Sequence, residues 1–262
     1  TRRSYPGKLM GLAGYGTVRE EMLPHFRQFF IEKDGKIADM IKGGSYFQKT
    51  AGENVASTIQ KTFEDILFEE LDKYDTQIPL VVTGGCALNV LINEKIKDRY
   101  KREVYVPPNP HDGGLSLGHM FCYQKPKERV NVTYNGLPLL DRDKLKDYNT
   151  KKVTKKDIAK LIKDGNIIGL IYGDSEVGPR ALGNRSIVCD PSIPEMKDIL
   201  NSKVKHRESY RPFAPFCKKE DAHKYFESRD FENMEYMSFA VKVKVDTLPS
   251  ITHVDGTARL QT

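Results

Sequence analysis

The residues best suited to chemistry in this sequence are its arginines. Arg180 and Arg185 stand five residues apart in SEVGPRALGNRS (Ser175–Ser186), directly after the apolar run NIIGLIYGD. Two guanidinium groups on a glycine- and proline-bearing loop, whose backbone can approach a ligand closely, point to a bound anion. A second cationic group follows at Lys203, Lys205, Arg207 and Arg211, with Pro212 and Pro215 stiffening the chain around Phe213. A solvated basic helix end would explain one such cluster. Two, both on stiff loops, fit a phosphate-rich substrate, because arginine captures phosphate or carboxylate bidentately. HVDGTARLQT adds His253, Asp255 and Arg259 around a glycine turn, read as a further ligand loop.

Two glycine motifs offer weaker signals. VVTGGCALN places Gly84 and Gly85 between an apolar run and a helix start. That arrangement serves either a phosphate at the helix N-terminus or a tight strand–helix turn. HDGGLSLGH repeats it, with Asp112 at the carboxyl end of a strand. There a carboxylate could hold a metal or cap the helix. His111 could be a second ligand or a solvated neighbour. The sequence holds no GxSxG elbow, Walker-type loop, HExxH or CxxC pair. Cys86 is placed like a nucleophile but has no histidine close by in sequence, and is read as structural.

The elements that must position these residues alternate. Gly7–Gly16 reads as a glycine-rich loop or a turn into a helix, and Phe29–Ile31 as a β-stretch leading into a hairpin at Asp34-Gly35. Val55, Ile59, Phe63, Ile66, Leu67 and Leu71 have helical spacing over Ala51–Tyr74. IPLVVTGG reads as a buried strand, CALNVLINEKIKDRY as a helix, KREVYVPPNP as a strand, and the residues after HDGG as a helix. Strand–loop–helix order predicts an α/β fold with a mostly parallel sheet. Residues 126–150 are polar, carry Asn135-Gly136 and two prolines, and read as a linker between units 1–125 and 151–262. In the second unit, Thr154 should cap a helix that ends at Gly165. IIGLIYG should be a strand, SIPEMKDILNSKVK a helix, and MSFAVKVKV a strand with one wet face.

Length and composition bound the answer. The 262 residues suit two compact domains, and no apolar run reaches the roughly 18 residues of a membrane span. Four scattered cysteines without CxxC spacing fit a reducing cytosol better than a disulfide framework or a zinc site. A net charge of +6 is modest: a solvated lysine-rich surface accounts for it, small anions come next, and nucleic acid last. The sequence does not start with Met, shows no signal peptide, and reads as a fragment cut at both ends.

Together, YPGKLMGLAGYG, GGCALN, HDGGLSLGH, EVGPRALGNRSIVCDP, RESYRPFAPF and HVDGTARLQT resemble the O-carbamoyltransferase family of nodulation-factor and antibiotic biosynthesis. The resemblance implies that the first unit is the C-terminal part of an ATPase-like domain of the actin, Hsp70 and sugar-kinase type. It implies that the second is an incomplete YrdC-like domain. It further implies an ATP-dependent enzyme that makes carbamoyl-adenylate from carbamoyl phosphate and ATP. The carbamoyl group then passes to a hydroxyl of a sugar or natural-product acceptor. By the same resemblance Arg180, Arg185 and Arg207 are catalytic, and Ser186, Lys203, Lys205, Arg211 and His253 join them in binding carbamoyl phosphate and ATP. Gly11, Gly84, Gly85, Asn89 and Gly113 would line the nucleotide, and Asp112 would bind an iron-type metal, with magnesium accompanying ATP. The family's His-x-x-x-His metal pair and its NTSFN-type segment would lie beyond the two ends, and Gly118–Met120 departs from the small residues expected there. The expected setting is the cytoplasm, with no membrane and no nucleic acid as partner. A tRNA threonylcarbamoyladenosine-type modification protein or a non-catalytic nucleotide-binding scaffold are the rival readings.

Overall fold

Pro6 opens helix α1 (Pro6–Ala13), where its missing N–H costs nothing. The computed structural model describes residues 6–32, 50–74, 77–128, 130–141 and 143–262. The stretch expected as a loop or turn is thus helical through Gly7 and Gly11 and turns only at residues 14–16. Helix α2 (Leu23–Glu32) follows, and it overturns the β-stretch expected at Phe29–Ile31. Met22 and Phe26 are buried at helical spacing, and Phe30 meets Phe63 at 6.2 Å between ring centroids. Packing on the next helix therefore overrides the β-propensity of a Phe-Phe-Ile run. The hairpin expected at Asp34-Gly35 lies outside the described residues.

Helix α3 (Gly52–Leu71) forms where the periodicity placed it. Its predicted apolar face is only half-buried, and Phe63, Leu67 and Leu71 border the core. Thr58 and Thr62 are buried instead, each closing its hydroxyl onto the carbonyl four residues back. Both α1 and α2 pack on α3. A Cβ at Gly16 would collide with the Glu53 carbonyl, so glycine lets the turn after α1 lie against α3.

Strand β1 (Leu80–Val81) pairs in parallel with β2 (Val104–Tyr105), and α4 (Val90–Tyr100) crosses between them. The expected buried strand is short, and its Val81 is exposed. Helix α5 (Leu115–Gln124) has no buried residue. Beyond it, α6 (Lys155–Lys163) carries a complete capping box between Thr154 and Asp157, and Gly165 takes a positive φ just past its end. Strands β3 (Ile168–Ile171) and β4 (Arg185–Val188) are antiparallel.

The predicted helix at Ser192–Lys205 is one α-turn, α7 (Met196–Ile199), that widens into a π-helix over Leu200–Val204. Helix α8 (Lys219–Tyr225) leads into β5 (Phe226–Glu227), β6 (Phe239–Val243) and β7 (Thr257–Leu260), an antiparallel sheet of order β5-β6-β7. As its centre strand, β6 buries Phe239, Ala240 and Val241 in succession, so the expected wet face is missing there. The mostly parallel sheet is also corrected. Among the strands of the described residues β1–β2 alone pair in parallel, because the other strand connections are loops that turn back rather than crossover helices.

The main core draws Ala87, Ile92, Ile96, Val104 and Val106 together with Ala222, Phe226, Met234, Phe239, Val241, Ile251, Ala258 and Leu260. It therefore takes side chains from both sides of residues 126–150. Part of that stretch is itself docked. Gly136 N–H donates to the Ser175 carbonyl (3.0 Å), Ser175 N–H to Leu137 (2.8 Å) and Val177 N–H to Thr133 (2.8 Å). A Cβ at Gly136 would strike Ser175. Among the described residues no helix is long and apolar enough to cross a membrane.

Candidate active site, an arginine cluster

The long β3–β4 connection is folded by glycines and one carboxylate. Gly173, Gly178 and Gly183 all have positive φ, which their lack of a Cβ permits. Glu176 Oε1 accepts hydrogen bonds from the N–H groups of Leu182 (2.8 Å), Asn184 (2.7 Å) and Arg185 (3.4 Å). A Cβ at Gly178 would collide with the Pro108 carbonyl, so the loop is pressed onto the segment after β2. Arg180 there lines a small cleft with Ala87, Leu88, Pro108, Pro110 and Tyr236.

The glycine motifs form the neighbouring wall. Thr83 Oγ1 and Gly84 N–H both donate to the Pro110 carbonyl, at 2.9 and 2.7 Å, which holds the GGCALN turn beside HDGG. Gly84 has a φ of 87°, and a Cβ at Gly84 or Gly85 would meet nothing within 4 Å. Gly113 is tightly packed, its N–H donating to His111 Nδ1 at 2.8 Å. Asn89 caps α4 at Ile92 N–H and bonds Gln60. Its side chain is thus committed to the scaffold. Asp112 is exposed in the short 3-10 turn Asp112–Gly114. Among the described residues no three His, Cys, Asp or Glu side chains gather as a metal-binding group, so Asp112 alone does not make a metal site.

The decisive feature is a group of four guanidinium ions. Arg259, on β7 opposite Ala240, keeps part of its side chain within reach of solvent, but its Nε is buried and unpartnered. Burial, and then the charges of Arg180, Arg207 and Arg211, push its pKa down to about 9. Burial alone pushes Arg180 below its ordinary value, and no described carboxylate pairs with it. Burial and then Arg211 lower Arg207.

Arg207 is aimed by its surroundings. It donates to Asn201 Oδ1 (2.6 Å) and the Pro212 carbonyl (3.3 Å) and stacks 4.4 Å over Phe213. Asn201, buried in the π-helix, also donates to the carbonyls of Ser209 (3.3 Å) and Arg211 (3.0 Å). The wider turn thus tethers the whole HRESYRPF loop, a use of π-helix common at functional sites. Among the described residues Arg211 has its carboxylate in Glu208, 3.8 Å away, and Glu208 is itself held by Lys8 of α1. Among the described residues, the one carboxylate paired with any of these four cations is Glu208, on Arg211, and a lysine already engages it. Clustered guanidinium groups with so little carboxylate beside them have the chemistry of an anion-binding surface.

Arg185, expected to act with Arg180, is not among the charges that bear on Arg259. Arg185 is exposed on β4, and Ser186 Oγ accepts from Gly183 N–H at 3.0 Å, closing the loop. Lys203 and Lys205 are exposed at the end of the π-helix. His253 has both ring nitrogens engaged, Nε2 with the Gly11 carbonyl (3.0 Å) and Nδ1 with Asp255 (3.2 Å). It stands edge-on to Tyr15 and ties the HVDGT turn to α1, with Gly11 contributing its carbonyl. Sequence reasoning missed Glu176 and Asn201. One is an acid among cations and the other a polar residue inside a helical run, and those are the signals that could have marked them.

Two family models match the chain: the carbamoyltransferase N-terminus over residues 1–120 and the carbamoyltransferase C-terminus over residues 159–262. The chain belongs to the carbamoyltransferase family. Nodulation protein NolO of Bradyrhizobium diazoefficiens is 35% identical over 296 residues, covering 97% of this chain and 53% of that protein. Nodulation protein NolNO of Sinorhizobium fredii is 34% identical over 300 residues, covering 97% of this chain and 43% of that protein. An uncharacterised protein of Methanocaldococcus jannaschii is 33% identical over 304 residues, covering all of this chain and 49% of its own length. The chain spans about half the length of the curated relatives it matches.

Proposed function

We propose that this chain carries the anion-activating part of an ATP-dependent O-carbamoyltransferase. The observation that carries the reading is the group Arg180, Arg207, Arg211 and Arg259, partly desolvated and short of carboxylates. Carbamoyl phosphate and ATP are both polyanions that repel each other in water. Fixed guanidinium forks neutralise that repulsion and hold the two at reacting distance, which is positioning plus charge stabilisation. Balancing atoms, water releases phosphate from carbamoyl phosphate. The carbamate oxygen attacks the α-phosphorus of ATP, and pyrophosphate leaves. The acceptor hydroxyl oxygen then attacks the carbamoyl carbon of the adenylate, its proton is lost, and AMP leaves.

In this reading Arg180 and Arg259 bear on the phosphates from the β3–β4 loop and from β7. Arg207 and Arg211 bear on them from the tethered loop. The open backbone at Gly84 and Gly85 faces the nucleotide side. The unit before residue 126 is assigned to the ATPase-like fold of actin and the sugar kinases, and the unit after 150 to the YrdC-like fold. The short parallel β1–β2 pair with its glycine turns at the strand ends supports the first assignment. Asp112 would contribute one ligand to an iron-type ion whose other ligands come from outside the described residues, and magnesium would accompany ATP. The cytoplasm is the setting that fits phosphate substrates and unpaired thiols.

The test is ATP–pyrophosphate exchange with the full-length protein. Exchange that requires carbamoyl phosphate and is lost in Arg180→Ala supports adenylate formation. Nucleotide binding without any exchange would instead favour a scaffold.

A further inference from the structure

An acid inside an anion-binding loop works against the loop's charge, because a carboxylate repels phosphate. Glu176 lies four residues before Arg180. Yet no described ion pair joins it to any arginine; it spends Oε1 on the backbone N–H groups of Leu182, Asn184 and Arg185. Leu182 is also gripped through its carbonyl, in the next peptide unit. Its carbonyl accepts from Tyr134 Oη (3.3 Å), on the docked stretch before β3, and from Gln261 Nε2 (2.9 Å), just past β7. Leu182 is buried at 5% exposure. Burial and then the Glu176 charge push the Tyr134 hydroxyl up, which keeps it protonated and donating. Val177–Ala181, the segment that presents Arg180, is therefore strung between Glu176 and a fixed Leu182.

We propose that Glu176 is a positioning residue for the anion site. Its carboxylate acts as the template on which the arginine loop is folded, and because the backbone amides occupy it, Arg180 stays unpaired for phosphate. The role rests on the anion-site reading above but not on the identity of the carbamoyl donor. It is a matter of reach rather than charge. Glutamine keeps the accepting oxygen at the same distance, whereas aspartate keeps the charge and withdraws it by one methylene.

The experiment is calorimetric titration of inorganic phosphate into the full-length protein and its Glu176→Gln, Glu176→Asp and Glu176→Ala variants, with ATP–pyrophosphate exchange run beside it. Phosphate affinity within about twofold of wild type is expected for Glu176→Gln, and a loss of about tenfold for the other two, the scale of about one lost hydrogen bond. If Glu176→Ala does not fold, Glu176→Asp decides alone. Wild-type affinity in Glu176→Asp, or a loss in Glu176→Gln equal to that in Glu176→Asp, would overturn the proposal. So would a wild-type protein that binds no phosphate. A tenfold loss in Glu176→Asp without carbamoyl-phosphate-dependent exchange in the wild type would leave the positioning role standing and remove the carbamoyltransferase reading.

Discussion

Arg259 shows most clearly what a single residue contributes and what it costs. Its guanidinium carries a depressed pKa of about 9 and an unpartnered Nε beside three more cations. The sign follows from the shift: the folded-state pKa lies below the unfolded value, so at neutral pH the buried charge destabilises the anion-free protein. That cost is relieved only as pH rises through 9. Arg259→Met should therefore raise the melting temperature of the anion-free protein by about 2 °C or more while abolishing its stabilisation by phosphate, as thermal melts with and without phosphate would show. A lower melting temperature in both conditions would mean the charge is already compensated. The sequence pointed to this residue as part of a ligand loop on a glycine turn. Its centrality depends on β7 lying against loops far away in the chain, which no local pattern encodes.

At the scale of elements, the amphipathic helix, the capping box and the turn glycines were legible because their causes are local. Misread elements are those whose state is decided by neighbours. Phe29–Ile31 is helical because it packs on α3, and β6 is buried on successive residues because it is flanked by two strands. The docked stretch around Gly136 reads as a linker for the same reason. Gly136→Ala would drive a Cβ into Ser175. It should loosen the arginine loop from below and weaken phosphate binding in titration, with little change in circular dichroism.

Helix α4 offers a second test. Burial raises Glu94 to about 7, against the opposing pull of Lys97 and Ser228. Its Oε1 accepts from Ser228 Oγ, and Lys97, fully buried, reaches Asp230 at 3.0 Å over Phe239. A folded pKa above the unfolded value gives stability that is full below about pH 4.5 and lost as pH rises through 7. Glu94→Gln should accordingly melt higher than wild type at pH 8 and no higher at pH 5.

At the scale of the whole molecule, the core joins what the sequence divides. Phe239 is fully buried among residues from α4, β2 and the C-terminal sheet. Phe239→Ala should cost about 3–5 kcal/mol in denaturant unfolding, and the loss should appear in a single transition reporting on both parts of the chain. Two separated transitions would show that the parts hold themselves up independently. The same joining builds the site, because Arg180 approaches the glycine turns across Pro108 while Arg211 reaches α1 through Glu208 and Lys8. The candidate arginines were legible as types. Their convergence was not, because it is a property of packing over long sequence separations.

The most direct measurement is a calorimetric titration of carbamoyl phosphate into the full-length protein and its Arg180→Ala and Arg259→Met variants. One site in the wild type, weakened at least about tenfold in each variant, is the expected result. Equal affinity in all three would contradict a site built from these guanidinium groups.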